Sequence, residues 1–245
     1  FGGYLITRQG MPVIVGILGT LLLGLLMGCI NGVLVAVLEL PPFIATLGTM
    51  MVARGFGSII TGGMSVTWPA ASSEQGWFRM LFKINKPGLL LPVGFIWVVI
   101  FVILMSLFLN KTRPGRYIIA IGSNKEATRL SGVNVVKYQA LAYIISGVFA
   151  GIAGIAYAAV FSSSIAPGTG AGLGLDAIAG AIIGGTSMTG GCGSIFGTLL
   201  GVFVMSMLKS GLPYIGLQAN WQQIITGLIL ILAVFIDVIK NRKLA

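Results

Sequence analysis

Long apolar runs are the feature that most constrains this chain. The run over 89–109 carries no charged residue, and a helix needs about 20 such residues to cross a hydrocarbon core. Only 8% of the 245 residues are charged, well below the roughly 25% of soluble domains. A membrane β-barrel would instead show short segments of alternating polarity. The sequence therefore predicts an all-α, polytopic transmembrane bundle that forms one domain over 1–245.

Seven hydrophobic segments follow one another along the chain. They cover 11–38, 43–61, 89–109, 139–160, 175–187, 194–208 and 221–239. Two of them, 175–187 and 194–208, are shorter than a usual span, so we expect one or both to be broken or re-entrant. Gly184 and Gly185 favour a break of the helix in the first of these two segments.

The basic residues indicate how the chain crosses the membrane. The net charge is +10, and most of the lysines and arginines stand at the ends of hydrophobic segments. The loop 110–138 holds six of them against one acid, Glu126, and the tail 240–245 holds three more. Cytoplasmic loops carry such an excess, so we expect both regions inside and 62–88 outside. The charge is explained by topology, and no nucleic-acid partner is implied.

Several kinds of catalytic and binding chemistry are missing from the sequence. It contains no GxxxxGK[ST] loop for ATP, no HExxH motif and no histidine, and Cys29 and Cys192 lie far apart. The sequence therefore implies no enzyme, no metal and no cofactor. A secondary carrier usually places ionisable groups in mid-membrane. Arg54 is the one candidate, and it could instead face the bundle interior and bond backbone carbonyls.

A small polar segment, "GSNKEATRLSG" over 122–132, stands out in the cytoplasmic loop. Ser123 and Asn124 can cap a helix, Glu126 falls in its first turn, and Gly132 can end it. A helix this short does not persist alone in water. We expect it to dock on its own bundle or on another protein, with an ordinary connector as the alternative.

Glycines recur at four-residue spacing in three places. This spacing leaves one helix face without side chains and lets helices approach closely, so it predicts a tightly packed bundle. The three sets are Gly24, Gly28 and Gly32; Gly147 and Gly151; and Gly193, Gly197 and Gly201.

Three stretches together resemble the permease family of sugar ABC importers of the ribose, xylose and galactose type. They are "INGVLVAVLELPPFIATLGTMMVARG" (30–55), "TRPGRYIIAIGSNKEATRLSGVNV" (112–135) and "LDAIAGAIIGGTSMTGGCGSIFGTLLG" (175–201). The resemblance implies a coupling helix within 110–138 that docks on an ATPase subunit. The coupling residues it implies are Asn124, Glu126, Ala127, Arg129, Leu130, Ser131 and Gly132. Members of the family also carry an N-terminal block of helices, and we expect about three spans of it to be absent here.

The resemblance also implies partners and a function. We expect separate ATPase subunits, an extracytoplasmic solute-binding protein, a second permease copy forming a homo- or heterodimer, and membrane lipid of the bacterial cytoplasmic membrane. The solute would be a monosaccharide or a similar small polar molecule. The alternative function is a self-contained secondary carrier. The residues do not identify the solute.

Candidate path residues are small and polar. We expect the translocation path to be mostly apolar with weak polar contacts, and the candidates to line it are Asn31, Thr46, Thr49, Ser58 and Asp176. For the hydroxyl residues the alternative is a hydrogen bond to a carbonyl of their own helix. For Asp176 the alternative is capping of the helix that it begins.

Overall fold

The computed structural model describes residues 1–82, 92–161, 164–216 and 219–242, which are mostly helical. The chain divides into two compact units. The first comprises Phe1–Ile100 and Asn134–Thr169, and the second comprises Phe101–Val133 and Gly170–Ala245.

The first unit is built around three long apolar helices. It also contains the first part of a fourth helix, whose remainder belongs to the second unit. Its helices are α1 (Gly2–Thr7), α2 (Val13–Gly32), α3 (Pro42–Thr61), α4 (Trp77–Met80), α8 (Val135–Val160) and the first half of α5 (Val93–Lys111). A π-helical turn, Val33–Val37, continues α2, and a 3₁₀ turn, Glu74–Gly76, precedes α4. Two short strands, β1 (Val66–Thr67) and β2 (Ser164–Ile165), pair antiparallel, with Val66 opposite Ile165.

Helices α2 and α8 pack backbone against backbone, as the glycine spacing predicts. A Cβ atom added to Gly24 would lie 2.5 Å from the Gly147 carbonyl oxygen, and one added to Gly28 would lie 2.7 Å from the Tyr143 carbonyl oxygen. Side chains at these positions would force the two helices apart. The predicted close packing is therefore confirmed for the set around Gly24 and for Gly147 in its partner helix.

A small core lies where the ends of α2 and α8 meet the segment 66–82. The Trp68 and Phe78 rings are 5.2 Å apart, and Phe78 is fully buried together with Val13. The Arg79 guanidinium reaches over the Phe78 ring and donates a hydrogen bond of 2.7 Å to the Pro69 carbonyl. This core gives α4 a fixed place at the end of the helices, although α4 itself has a single turn.

The second unit holds the polar loop and the last apolar helices. Its elements are the second half of α5, then α6 (Arg113–Ser123), α7 (Lys125–Leu130), α9 (Leu173–Ile183), α10 (Ile195–Gly211), a 3₁₀ turn (Leu212–Ile215) and α11 (Ala219–Arg242).

Helices α9 and α10 form a hairpin with glycines at its interface. The Gly180 and Gly184 positions of α9 meet the Gly201 and Gly197 positions of α10 so closely that no Cβ atom fits between them. Helix α9 ends at Ile183, Gly184 follows as its C-cap, and Gly185 has a φ of +88°. The predicted break at the glycine pair is confirmed.

The predicted segments agree with the helices, with two differences. Five helical stretches among the described residues are long and apolar enough to cross a membrane, and two apolar stretches, Leu173–Ile183 in α9 and Asn220–Phe235 in α11, are shorter. The segment 221–239 is therefore not among the five. The segment 194–208 was expected to be short. Its helix extends through Lys209 and Ser210 and, with the 3₁₀ turn, gives a stretch of 20 residues, Ile195–Tyr214. The expected segment stopped at the first charged residue, Lys209, whereas α10 continues through it, and Lys209 pairs with Asp176.

Three predicted regions extend beyond the described residues. They are the end of the loop 62–88, from 83 onward; the beginning of the segment 89–109, before 92; and the end of the basic tail, from 243 onward. From Val93 to Lys111 the third segment is one continuous helix.

Candidate functional site

Helix α7 occupies the polar segment that the sequence singles out. Asn124 is its N-cap: the Asn124 side-chain oxygen accepts a hydrogen bond of 2.9 Å from the Ala127 amide. Such a cap satisfies one of the free N–H groups at the start of a helix. Ser123 instead ends α6, so of the two predicted capping residues only Asn124 performs that role.

The end of α7 is equally well defined. Ser131 is the C-cap and its hydroxyl donates to the Ala127 carbonyl. Gly132 follows with a φ of +81°, a conformation that favours glycine. Thr128 is buried and its hydroxyl bonds the Asn124 carbonyl. The helix is therefore closed at both ends by its own side chains.

The outer face of α7 presents an apolar residue beside an ion pair. Leu130 is 79% exposed, so among the described residues this leucine has little apolar cover. Arg129 and Glu126 form an exposed salt bridge of 3.0 Å. An exposed pair of this kind contributes little stability, but it sets charges of both signs next to Leu130.

Asn31 and Thr49 are in direct contact in the first unit. The Thr49 hydroxyl donates a hydrogen bond of 2.7 Å to the Asn31 side-chain oxygen, which links α3 to the end of α2. Both side chains are half-buried. Thr49 can also reach the Thr46 carbonyl, at 3.0 Å. Two of the path residues predicted from the sequence are therefore brought together.

Two grooves in the first unit meet at this contact. Asn31 and Thr46 line one of about 440 Å³, which runs along the glycine seam of α2 and α8 and includes Tyr143 and Ser146. Thr49 lines the other, about 580 Å³, whose walls are almost entirely apolar and come from α2, α3 and the region of α1. The Thr46 hydroxyl donates a hydrogen bond of 2.9 Å to the Pro42 carbonyl. This is the alternative given for the hydroxyl residues, a hydrogen bond within their own helix.

Ser58 and Arg54 lie one turn apart on α3. Ser58 is half-buried and lines neither groove. Arg54 is on the exposed side of α3, so it does not face the interior of the first unit, and its aliphatic part lies near the Gly168 position. The structure therefore groups Asn31, Thr46 and Thr49 but leaves Ser58 apart from them.

Asp176 forms an ion pair that the sequence reading missed. Its carboxylate accepts from the Lys209 ammonium at 2.5 Å, and the Asp176 side chain is 16% exposed. The cap of α9 is Gly172, which makes no side-chain bond, so the interpretation of Asp176 as a cap is wrong. Ser206 and Ser210 join the pair in lining a groove of about 270 Å³.

The signal for this pair was present in the sequence. Asp176 lies in one short apolar segment, 175–187, and Lys209 directly follows the other, 194–208, and neither segment carries another charge. A charge in an apolar helix needs a partner, and opposite charges in neighbouring helices are the simplest such partners.

Comparison with known proteins identifies the family. A family model described as "Branched-chain amino acid transport system / permease component" matches residues 1–234. The chain belongs to this permease family. The permease is therefore a transport subunit rather than an enzyme. Its long apolar helices agree with the predicted multi-pass protein of the cytoplasmic membrane.

Individual relatives of the permease are similar over most of its length. The galactose/methyl galactoside import permease protein MglC of Haemophilus influenzae is 38% identical over 95% of this chain and 69% of its own. The ribose import permease protein RbsC of Escherichia coli K12 is 39% identical, over 94% and 70%. The fructose import permease protein FruG of Bifidobacterium longum is 34% identical, over 96% and 70%. No solved structure matches the permease significantly.

Proposed function

We propose that this permease imports a monosaccharide or a similar small polar solute, driven by ATP hydrolysis on separate subunits. The observation that carries the coupling to an ATPase is α7, a helix capped at both ends that leaves Leu130 exposed beside an ion pair. The solute class is supported by the names of the relatives, which are permeases for ribose, galactose and fructose.

The ATPase contact is assigned to one face of α7. Leu130 is the apolar anchor, because burial of a leucine side chain contributes about 1.5–3 kcal/mol. Glu126 and Arg129 flank it and fix the register of the contact through their opposite charges. Asn124, Ala127, Ser131 and Gly132 act indirectly, by holding the ends of the helix in shape.

The translocation path is assigned to the grooves that meet at Asn31 and Thr49. Their walls are mostly apolar, with a few hydroxyl and amide groups. A sugar presents both C–H faces and hydroxyls, so such a lining can contact it without holding it tightly. The Asn31–Thr49 bond occupies polar groups that would otherwise bind the solute strongly.

Further partners follow from the import function. A solute-binding protein delivers the solute on the outer side, and a second permease copy completes the path. Asp176 and Ser58 remain candidates for contact with the solute or with the binding protein. Membrane lipid covers the exposed apolar faces of the helices.

A self-contained secondary carrier was the alternative function, and the names of the relatives, which are import permease proteins, argue against it. The Asp176–Lys209 pair does place two ionisable groups within apolar helices, a feature that carriers use. The two functions differ in their energy source, so a transport assay separates them.

Two measurements test the proposed function. The tagged permease is purified from its native membrane, and the expected result is co-purification of a P-loop ATPase. Uptake of radiolabelled ribose, galactose and fructose is then measured in cells depleted of ATP and in cells treated with a protonophore. When the protonophore-treated cells keep their glycolytic ATP, an ATP-driven importer stops only in the ATP-depleted cells. Uptake that survives ATP depletion but stops with the protonophore would identify a carrier.

A further inference from the structure

The end of α6 comes close to the loop between α9 and α10 at three glycines, Gly122, Gly190 and Gly191. A Cβ atom added to Gly122 would lie 2.5 Å from the Gly191 amide nitrogen. One added to Gly190 would lie 2.8 Å from the Gly122 carbonyl oxygen, and one added to Gly191 would lie 2.9 Å from the Ser123 Cα atom. At these three glycines the two backbones therefore approach too closely for a side chain to be added.

On one side, this contact adjoins α7 directly. Gly122 and Ser123 are the last residues of α6, and Asn124, the next residue, is the N-cap of α7. The Asn124 amide also bonds the Ala120 carbonyl of α6, at 3.0 Å. Gly122 and Ser123 directly precede the N-cap of α7. A displacement of α7 must therefore also move the glycine contact.

On the other side, the loop 184–194 is closely tied to both helices of the hairpin. The Thr186 amide bonds the Ala181 carbonyl of α9, and the Thr186 hydroxyl is 3.1 Å from that of Thr198 in α10. The Ser187 amide bonds the Cys192 carbonyl, which closes the loop on itself. Gly190 and Gly191 thus sit on a braced loop rather than on a free one.

The hairpin itself is built to move as one body. Its helices meet at glycine positions where the backbones touch, at Gly180 and Gly201 among others. The Asp176–Lys209 pair joins the far ends of the same two helices. Packed backbone and a satisfied ion pair leave no soft element inside the hairpin that could absorb a displacement.

We propose that Gly122, Gly190 and Gly191 are positioning residues that transmit motion of α7 to the α9–α10 hairpin. A side chain could change rotamer and take up a small shift, but a backbone contact between glycines has no such freedom. The displacement that the ATPase imposes on α7 would then reach the groove beside Asp176 as a rigid movement. The inference rests on the proposed docking of α7 on an ATPase.

The first test replaces one side of the contact. Gly122→Ala adds a methyl group where no space exists, in a helix whose backbone otherwise favours alanine. We expect the variant to co-purify with the ATPase at the normal level, while solute imported per ATP hydrolysed falls roughly fivefold or more, within the range of measured coupling between sites. The matched control is Gly227→Ala in α11, a helical glycine with open space around it, for which coupling is expected to be unchanged.

The second test remains informative if Gly122→Ala fails to fold. Thr186→Val removes the hydroxyl contact with Thr198 that braces the loop 184–194, and it leaves the three glycines in place. We expect ATPase binding at the normal level and less solute imported per ATP hydrolysed, because a loosened loop takes up part of the displacement. The matched control is Thr226→Val in α11, whose hydroxyl bonds only a carbonyl of its own helix, and its coupling is expected to be unchanged.

The outcomes distinguish the inference from the function on which it rests. Normal coupling in a folded Gly122→Ala variant would overturn the proposal. Coupling in Thr186→Val equal to that of the Thr226→Val control would also overturn it. Failure of the unmodified permease to bind any ATPase would instead refute the proposed function, and the inference with it.

Discussion

The Thr49 hydroxyl donates a hydrogen bond of 2.7 Å to the Asn31 side chain and so joins two apolar helices, α3 and α2. Its neighbour Thr46, one turn earlier on α3, bonds only carbonyls of its own helix. These two threonines therefore offer a direct comparison between a bond across helices and a bond within one helix.

The first prediction concerns this comparison. In a double-mutant cycle, Thr49→Val and Asn31→Ala are expected to show a coupling free energy of about 0.6 kcal/mol, typical of hydrogen bonds between membrane helices. Thr46→Val with Asn31→Ala is the control and is expected to be additive. The measurement is unfolding in mixed micelles of increasing denaturing detergent. Additivity in both cycles would show that the Asn31–Thr49 bond contributes nothing to stability.

The second prediction concerns Asp176 and Lys209. Lys209→Met leaves the Asp176 carboxylate without its partner in an apolar setting, so it is expected to lower the free energy of unfolding. The loss should stay below the roughly 3–5 kcal/mol seen for fully buried pairs, because water still reaches Lys209. The double variant Asp176→Asn, Lys209→Met should regain most of the loss. A double variant less stable than either single one would contradict the ion-pair account.

The third prediction tests the outer face of α7. Leu130→Ala is expected to raise the Kd for the ATPase subunit by roughly 10- to 100-fold, the effect of losing much of a buried leucine. Glu126→Arg should leave the permease in the membrane but uncouple ATP hydrolysis from uptake, because it sets two positive charges side by side with Arg129. Leu228→Ala, at an exposed apolar position of α11, is the control.

Binding can be measured by titrating labelled ATPase onto the permease in nanodiscs. An unchanged Kd for Leu130→Ala would remove α7 from the docking surface. Normal uptake by Glu126→Arg would show that the charged pair has no part in coupling. The interpretation of the Leu130 result would not change.

The fourth prediction concerns access to the path. Single cysteines at Asn31, Thr46, Thr49 and Ser58 are introduced into a permease whose native cysteines are serine. A membrane-impermeant maleimide needs a hydrated thiol to react, so path positions are expected to label from at least one side of the membrane. Leu228→Cys, on an exposed apolar face, should stay unlabelled. Protection at all four positions would argue against this path.

Much of the fold could be predicted from the sequence because the membrane restricts what a chain can do. A spanning segment must satisfy its own backbone hydrogen bonds, so long apolar runs such as 43–61 and 139–160 correspond closely to α3 and α8. The capping of α7 by Asn124 was equally accessible, because a cap depends on residues within one turn of each other.

The remaining features depend on contacts between distant parts of the chain. The sequence shows two lone charges, Asp176 and Lys209, but their pairing and the full length of α10 depend on how α9 packs on α10. The β1–β2 ladder joins residues almost a hundred positions apart and has no strand signal in either short segment. For the candidate site, the sequence indicated which residues were polar but not which of them meet.

The glycine seam between α2 and α8 also bears on the order of assembly during synthesis. The two helices are separated by about a hundred residues, which a ribosome adds in roughly 5–20 s. During that interval the exposed glycine face of α2 has no proper partner and is open to mispairing. Helices α9 and α10, by contrast, are joined by a short loop and can pair almost as soon as both are made. Slower translation between α2 and α8 should therefore lower the yield of correctly assembled permease without changing its sequence.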